Sequence, residues 1–238
     1  FENINFKVEK GEFITIIGHS GCGKSTILNV LAGLDEATSG AVIMEGKEVS
    51  GPSLDRGVVF QNYSLLPWLS TLSNVTFAVE SRHPDWSKEQ VKDHAMKYLE
   101  LVGLSGGVEQ RKPSQLSGGM RQRASLCRAL IHNPDVLILD EPFGALDAFT
   151  REDLWLTMHK LRAEEPFTGV LITHDLRESI FLADEVVVLS DRPATVQYSV
   201  FPRHDGPPSL DQLYTSESIA TLNELREQIR LARSSEEA

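Results

Sequence analysis

The stretch Gly18-His19-Ser20-Gly21-Cys22-Gly23-Lys24-Ser25 fits G-x-x-x-x-G-K-[ST], and Thr26 follows it. Glycines let such a loop turn so that successive backbone N–H groups point into one concavity. A helix opening behind the loop adds partial positive charge. A triphosphate suits this cup: Lys24 reaches its outer phosphates, and the Ser25 hydroxyl takes a Mg²⁺ ion.

Phosphate chemistry also needs carboxylates to hold the metal and handle water. "VLILDE" supplies them at the end of an apolar run, with Asp140 as a metal ligand and Glu141 as general base. Ser117-Gly118-Gly119 forms a second glycine-rich helix start and hence a second anion nest, which a single phosphate group does not need.

The elements that must position these groups are legible from periodicity. "FENINFKV" and "EFITII" read as strands flanking the turn "EKGE", and "GAVIMEGKEV" reads as a hairpin around Glu45-Gly46. Phe1 and Phe6 read as core strand residues. The helix after the glycine loop is expected to end at Gly33.

From Asn62 to Asn133 the pattern becomes helical. Ser87 and Gln90 form a capping box, and Val91, Ala95, Tyr98, Leu99 and Val102 recur on one face. A further helix runs from Ser117 to Asn133-Pro134. Buried strands at 136–140 and 169–175, helices near 148–163 and 176–183, and "EVVVLS" then alternate. This alternation argues for an α/β fold with a mostly parallel sheet.

The expected division is an α/β core with an antiparallel β part (1–61 and 135–190), a helical insertion (62–134) and a C-terminal extension (191–238). That extension is Pro- and polar-rich and ends in a helix carrying Ile219, Leu222, Leu225 and Ile229, which is read as packing on the chain's own core or on a partner. "RSSEEA" reads as a solvated end.

Composition bounds the function. The 238 residues carry a net charge of −11, which disfavours a nucleic-acid surface. No stretch approaches the roughly 18 uninterrupted apolar residues of a membrane span. The opening without Met is read as a missing N-terminal piece. The two cysteines, Cys22 and Cys127, read as free thiols. Alkylation of Cys22 is expected to block the site, with nucleotide protecting it.

"LSGGMRQR" (116–123), "VLILDE", "GALD" (144–147), "ITHD" (172–175) and "VVFQN" (58–62), together with the glycine loop, resemble the ATP-binding subunit of ABC transporters. The resemblance extends to about Leu189 and implies a P-loop NTPase core, with ATP and Mg²⁺ as cofactors. It assigns Gln61 to Mg²⁺ and the attacking water, His174 to the γ-phosphate, and Asp147 to coupling between two nucleotide sites. It also implies that Ser117-Gly118-Gly119 of one subunit closes on ATP held by residues 18–26 of another.

Met120 stands where the family more often has glutamine. The aromatic residue on which the family stacks adenine stands well upstream of the loop, at a position expected before Phe1.

"DRGVVFQNYSLLPWLST" and "NVTFAV" resemble the ATPases of bacterial importers for nitrate, sulfonate, taurine and related anions, and are most similar to the nitrate, cyanate and bicarbonate members. Partners implied are a second ATP-binding subunit (identical or a close paralogue), transmembrane permease subunits and, indirectly, an extracytoplasmic solute-binding protein. The implied location is the cytoplasmic face of the inner membrane. Leu65, Leu66, Pro67 and Trp68 either form a groove for the permease or fill the helical layer. A permease-free ABC ATPase acting on DNA or ribosomes is the alternative from another class. One motif set without heptads argues against it.

Overall fold

The computed structural model describes residues 1–203 and 206–234. The expected solvated end lies, from residue 235 on, outside the described residues.

The α/β expectation holds. One six-stranded sheet has the order β4 (Arg56–Val59), β5 (Val136–Asp140), β6 (Thr168–Ile172), β1 (Phe13–Ile17), β7 (Glu185–Leu189) and β8 (Val196–Val200). The first five strands are mutually parallel and only β8 is antiparallel. β1 lies between β6 and β7 and is buried along its whole length, as expected of an apolar run covered on both faces.

Successive side chains of β1 divide the core into two layers. Ile14 and Ile16 face α1 (Lys24–Ala32), packing with Ile27, Leu28, Ile138 and Val170. Phe13 and Ile17 face the opposite layer, which includes Trp155 of α5 (Ala148–Glu164), Phe181 of α6 (Leu176–Leu182) and Leu225 of α7 (Ser216–Ser234). The same cluster extends into α2 (Thr71–Arg82), α3 (Lys88–Leu101) and α4 (Gly118–Leu130) through Val79, Leu99 and Leu126.

Local signals act where they stand in the chain. Gly33 ends α1 in the left-handed conformation at φ 73°. Ser87 and Gln90 form both bonds of the capping box on α3. The short hairpin of β2 (Ile43–Met44) and β3 (Lys47–Glu48) turns on Glu45 and Gly46, both with positive φ, as a tight hairpin of this hand requires.

Two expectations fail. Residues 1–8 form no strand: Glu2 N–H donates to the Ala194 carbonyl at 3.0 Å, but no ladder follows. Phe1 is therefore 43% exposed instead of in the core, while Phe6 is half-buried against the α1 layer. The second departure is β8, which lies in the stretch read only as Pro- and polar-rich. Its alternating V-Q-Y-S-V leaves Val196, Tyr198 and Val200 half-buried and Gln197 and Ser199 exposed.

The C-terminal helix packs on its own chain, with Leu222, Leu225 and Ala232 buried. Among the described residues, no helix is long and apolar enough to cross a membrane.

Candidate nucleotide site

The carboxyl ends of β4, β5, β6, β1 and β7 form one edge of the parallel sheet, the edge where open α/β sheets bind ligands. Gln61 follows β4, Asp140 ends β5, His174 follows β6, and residues 18–23 follow β1. Four groups far apart in sequence are thereby brought to one rim.

Between Ile17 and Lys24 the loop uses φ values of 86° at Gly21 and 114° at Gly23, which side-chain-bearing residues rarely adopt. Gly23 is the N-cap of α1 and offers no side chain to its first amides. By contrast α2 to α6 are each capped by a side chain, from Ser70, Ser87, Ser117, Asp147 and Asp175. The amides at the start of α1, around Ser25 and Thr26, thus lack a side-chain acceptor and suit an anion. Lys24 is buried, and its ammonium donates to the Gly18 and His19 carbonyls at 2.8 Å each. That leaves a third N–H for a phosphate oxygen.

Cys22 corrects an expectation. Its side chain is 1% exposed and belongs to the apolar layer with Ile14, Ile16 and Leu28. The sulfur lies beneath the start of the loop, 3.1 Å from where a Cβ on Gly18 would stand. Only the Cys22 backbone can face a phosphate, so nucleotide-protected alkylation is no longer expected.

Asp140 is half-buried, and its carboxyl is held above the usual carboxylate range, mainly by burial and then by the neighbouring Glu141, while Lys24 pulls it down. Asp140 and Glu141 are adjacent carboxylates, and Lys24 acting on Asp140 leaves negative charge to be compensated. With the Ser25 hydroxyl and the Gln61 amide they supply hard oxygen donors, the kind Mg²⁺ prefers. Among the described residues, no cluster of three or more His, Cys, Asp or Glu could hold a metal by itself. A cation here would need phosphate oxygens to complete its shell.

Glu141 has φ 43°, a strained value for a residue with a side chain. Its N–H donates to the Ile172 carbonyl at 2.8 Å, and its carbonyl accepts from Gly144 N–H at 3.3 Å, which pins the residue between β5 and β6. Its carboxylate lies 3.4 Å from His174 Nδ1. Base and histidine candidates thus meet.

The second glycine-rich helix start is organised separately. Ser117 is exposed and caps α4, accepting from Met120 N–H at 3.2 Å. Asp147 caps α5 by accepting from Thr150 N–H at 3.1 Å and Oγ1 at 2.7 Å, bonds that depress its carboxyl pKa. Both residues are therefore helix caps within the chain. The two turns touch: a Cβ on Gly119 would stand 2.4 Å from Thr150 Cγ2, and one on Gly118 would stand 3.3 Å from Leu146.

Gln61 is exposed, and the next residues tie its loop to α4. Ser125 Oγ donates to the Tyr63 carbonyl and Arg128 to the Ser64 carbonyl, each at 2.7 Å. Beyond it the apolar stretch divides: Leu65 packs against the core, whereas Trp68 is 66% exposed.

Sequence reasoning missed three supports. Arg151 donates to both Leu146 O (3.1 Å) and the Asp175 carboxylate (2.7 Å), joining the Asp147 turn to the His174 turn. Glu178 is buried under the latter, its pKa pushed well above normal chiefly by burial and then by Asp175. Arg192, beyond β7, donates to the Gly21 carbonyl at 2.6 Å. Glu178 and Arg192 lie in the stretch LRESIFLADEVVVLSDRPATV (176–196), which fits the broader importer branch as sequence, but only the fold brings all three to the site.

Residues 1–144 match the family model described as ABC transporter. The chain is 50% identical over 196 residues to the nitrate import ATP-binding protein NrtD of Synechococcus elongatus, covering 81% of this chain and 70% of that one. It is 48% identical over 192 residues to the bicarbonate transport ATP-binding protein CmpD of a Synechocystis species, covering 81% and 68%. The dimeric ATP-binding cassette MJ0796, in a post-hydrolysis state bound to ADP and Pi, superposes with a TM-score of 0.74 at 32% identity, covering 85% of this chain and 90% of that one. The chain belongs to the ABC transporter ATP-binding family and is an ATPase.

Proposed function

We propose that this ATPase powers an importer of small anions (nitrate, bicarbonate, sulfonate, taurine or similar) from the cytoplasmic face of the inner membrane. The observation that carries the reading is its likeness to nitrate and bicarbonate transport proteins across four-fifths of the chain.

In this reading the amides of residues 18–26 and the Lys24 ammonium bind the phosphates. Ser25, Asp140 and Gln61 hold Mg²⁺, which when bound neutralises phosphate charge. Glu141 orients water and accepts its proton as the new P–O bond forms and the bond to ADP breaks. His174, beside it, donates to the γ-phosphate as charge accumulates there. The exposed Ser117 turn of a second subunit closes over the nucleotide, and Asp147 lies at that junction. Trp68 and its neighbours offer an apolar contact for the permease, and the net charge of −11 disfavours a nucleic-acid partner.

The test is reconstitution with the permease and solute-binding protein in vesicles. ATP hydrolysis is expected to rise when the binding protein carries nitrate, bicarbonate or a sulfonate. A complex that responds to none of these anions, or recovery of the chain with ribosomes or DNA in place of a permease, overturns the proposal.

A further inference from the structure

The C-terminal extension touches the phosphate loop at two points, through Arg192 and through Ile229. β7 lies beside β1, so the chain leaving β7 emerges next to the loop leaving β1. Packing there is tight: a Cβ on Gly18 would stand 3.2 Å from Leu189 Cβ and 3.3 Å from its carbonyl oxygen.

The reversal from β7 to β8 is held by Ser190 N–H donating to the Thr195 carbonyl at 3.0 Å and Thr195 N–H donating to Ser190 Oγ at 2.9 Å. Arg192 sits at its tip and donates from Nε to the Gly21 carbonyl at 2.6 Å. From further along the chain, α7 brings its Ile229 carbonyl to 2.9 Å from His19 Nε2. A carbonyl only accepts, so Nε2 carries the hydrogen. Leu222, Leu225 and Ala232, all buried, seat α7 for this contact.

These bonds bear on which way the loop's amides point. In a trans peptide the C=O of one residue and the N–H of the next face opposite ways. Arg192 draws the Gly21 carbonyl outward, so the Cys22 N–H is aimed into the loop, where it makes only a long 3.4 Å bond to the His19 carbonyl. A phosphate oxygen is the better acceptor for that N–H. The His19 carbonyl, by contrast, faces into the loop and is held with that of Gly18 by Lys24.

We propose that the β7–β8 turn carrying Arg192 and the helix α7 together form a brace that pre-organises the phosphate loop, with Arg192 and His19 as its positioning residues, so that these two elements set ATP affinity. The inference rests on the nucleotide-site reading above. His19 lies within residues 1–144, which match the family model, and Arg192 and α7 lie beyond them.

Binding of a non-hydrolysable ATP analogue by the full chain tests it, alongside the ligand-free Tm and hydrogen exchange of residues 18–24. Arg192→Ala is expected to weaken binding about fivefold, a modest share of a charge-assisted hydrogen bond, and to speed exchange in the loop at an unchanged Tm. Arg192→Lys should recover most of the affinity. His19→Phe should act as Arg192→Ala does, and His19→Gln, which keeps a donor, more weakly. Parent-like binding and exchange in both Arg192→Ala and His19→Phe overturns the brace, as does a fall in Tm with unchanged affinity. A parent chain that binds no analogue sinks the nucleotide site, while the exchange comparison still decides whether the extension holds the loop.

Discussion

At the scale of single residues, Glu141 carries the sharpest expectation because its surroundings are strained and specific. Its backbone is fixed in a left-handed conformation by bonds to Ile172 and Gly144, and its carboxylate faces His174. Glu141→Gln keeps the side chain's size and removes the proton acceptor. Phosphate release should fall by about a hundredfold or more, while ATP is still bound and an ATP-loaded dimer accumulates on size exclusion. Hydrolysis at the parent rate would remove Glu141 from its role. Glu178 makes a different prediction. Its folded-state pKa is raised, so between the ordinary carboxyl value and that raised value the folded chain retains a proton that the unfolded chain has released. Stability must then decline as pH rises through this window. Glu178→Gln has no such proton to lose. Its Tm should gain on the parent as pH rises from acid toward neutral and should converge with it below the ordinary carboxyl range. A difference in Tm that ignores pH would refute the assignment.

At the scale of elements, the contact between the starts of α4 and α5 matters most. Thr150 cannot simply turn away from Gly119, because its hydroxyl is bonded to the Asp147 carboxylate. Gly119→Ala would favour the helix by intrinsic propensity, yet its new methyl would collide with Thr150 Cγ2. Ser117 and Asp147 should be displaced together, lowering ATPase activity on the order of tenfold to a hundredfold. Thr150→Ser deletes the colliding carbon and keeps the hydroxyl, so the double variant should regain activity that the single one lost. No recovery would mean that the two turns are not mechanically joined. Elements with strong local signals were legible in the sequence: the apolar runs of β5 and β7, the capping box of α3, and Gly33 as the end of α1. The candidate residues stood out because their types and order are distinctive. β8 and residues 1–8 were misread for a common reason. Strand pairing depends on a neighbouring edge: Val196–Val200 finds one on β7, and Phe1–Val8 finds none. Cys22 was misread because the direction of a side chain within a glycine loop depends on the φ of the glycines around it, not on composition.

At the scale of the whole molecule, the two glycine-rich helix starts stand on different elements. Residues 18–26 belong to the rim of the sheet with Asp140, Glu141 and His174, whereas Ser117 belongs to α4 and abuts Leu146 and Thr150. If ATP is enclosed between two subunits, each complete site takes its phosphate loop from one chain and its Ser117 turn from the other. Lys24→Ala and Ser117→Arg should then each abolish activity alone, because every site in either homodimer carries a defect. Mixed in equal amounts, the two variants should recover. In a mixed dimer one site unites both lesions, while the other joins an intact loop to an intact turn. Half of randomly paired dimers are mixed and half of their sites are whole, so up to about a quarter of parent activity should return. A chain that assembled each site from its own two helix starts would show no recovery at any ratio, because both parts of every site would stay on the same mutated polypeptide. Measuring ATPase activity against mixing ratio distinguishes these arrangements, and a maximum near equal proportions is the outcome that only shared sites produce.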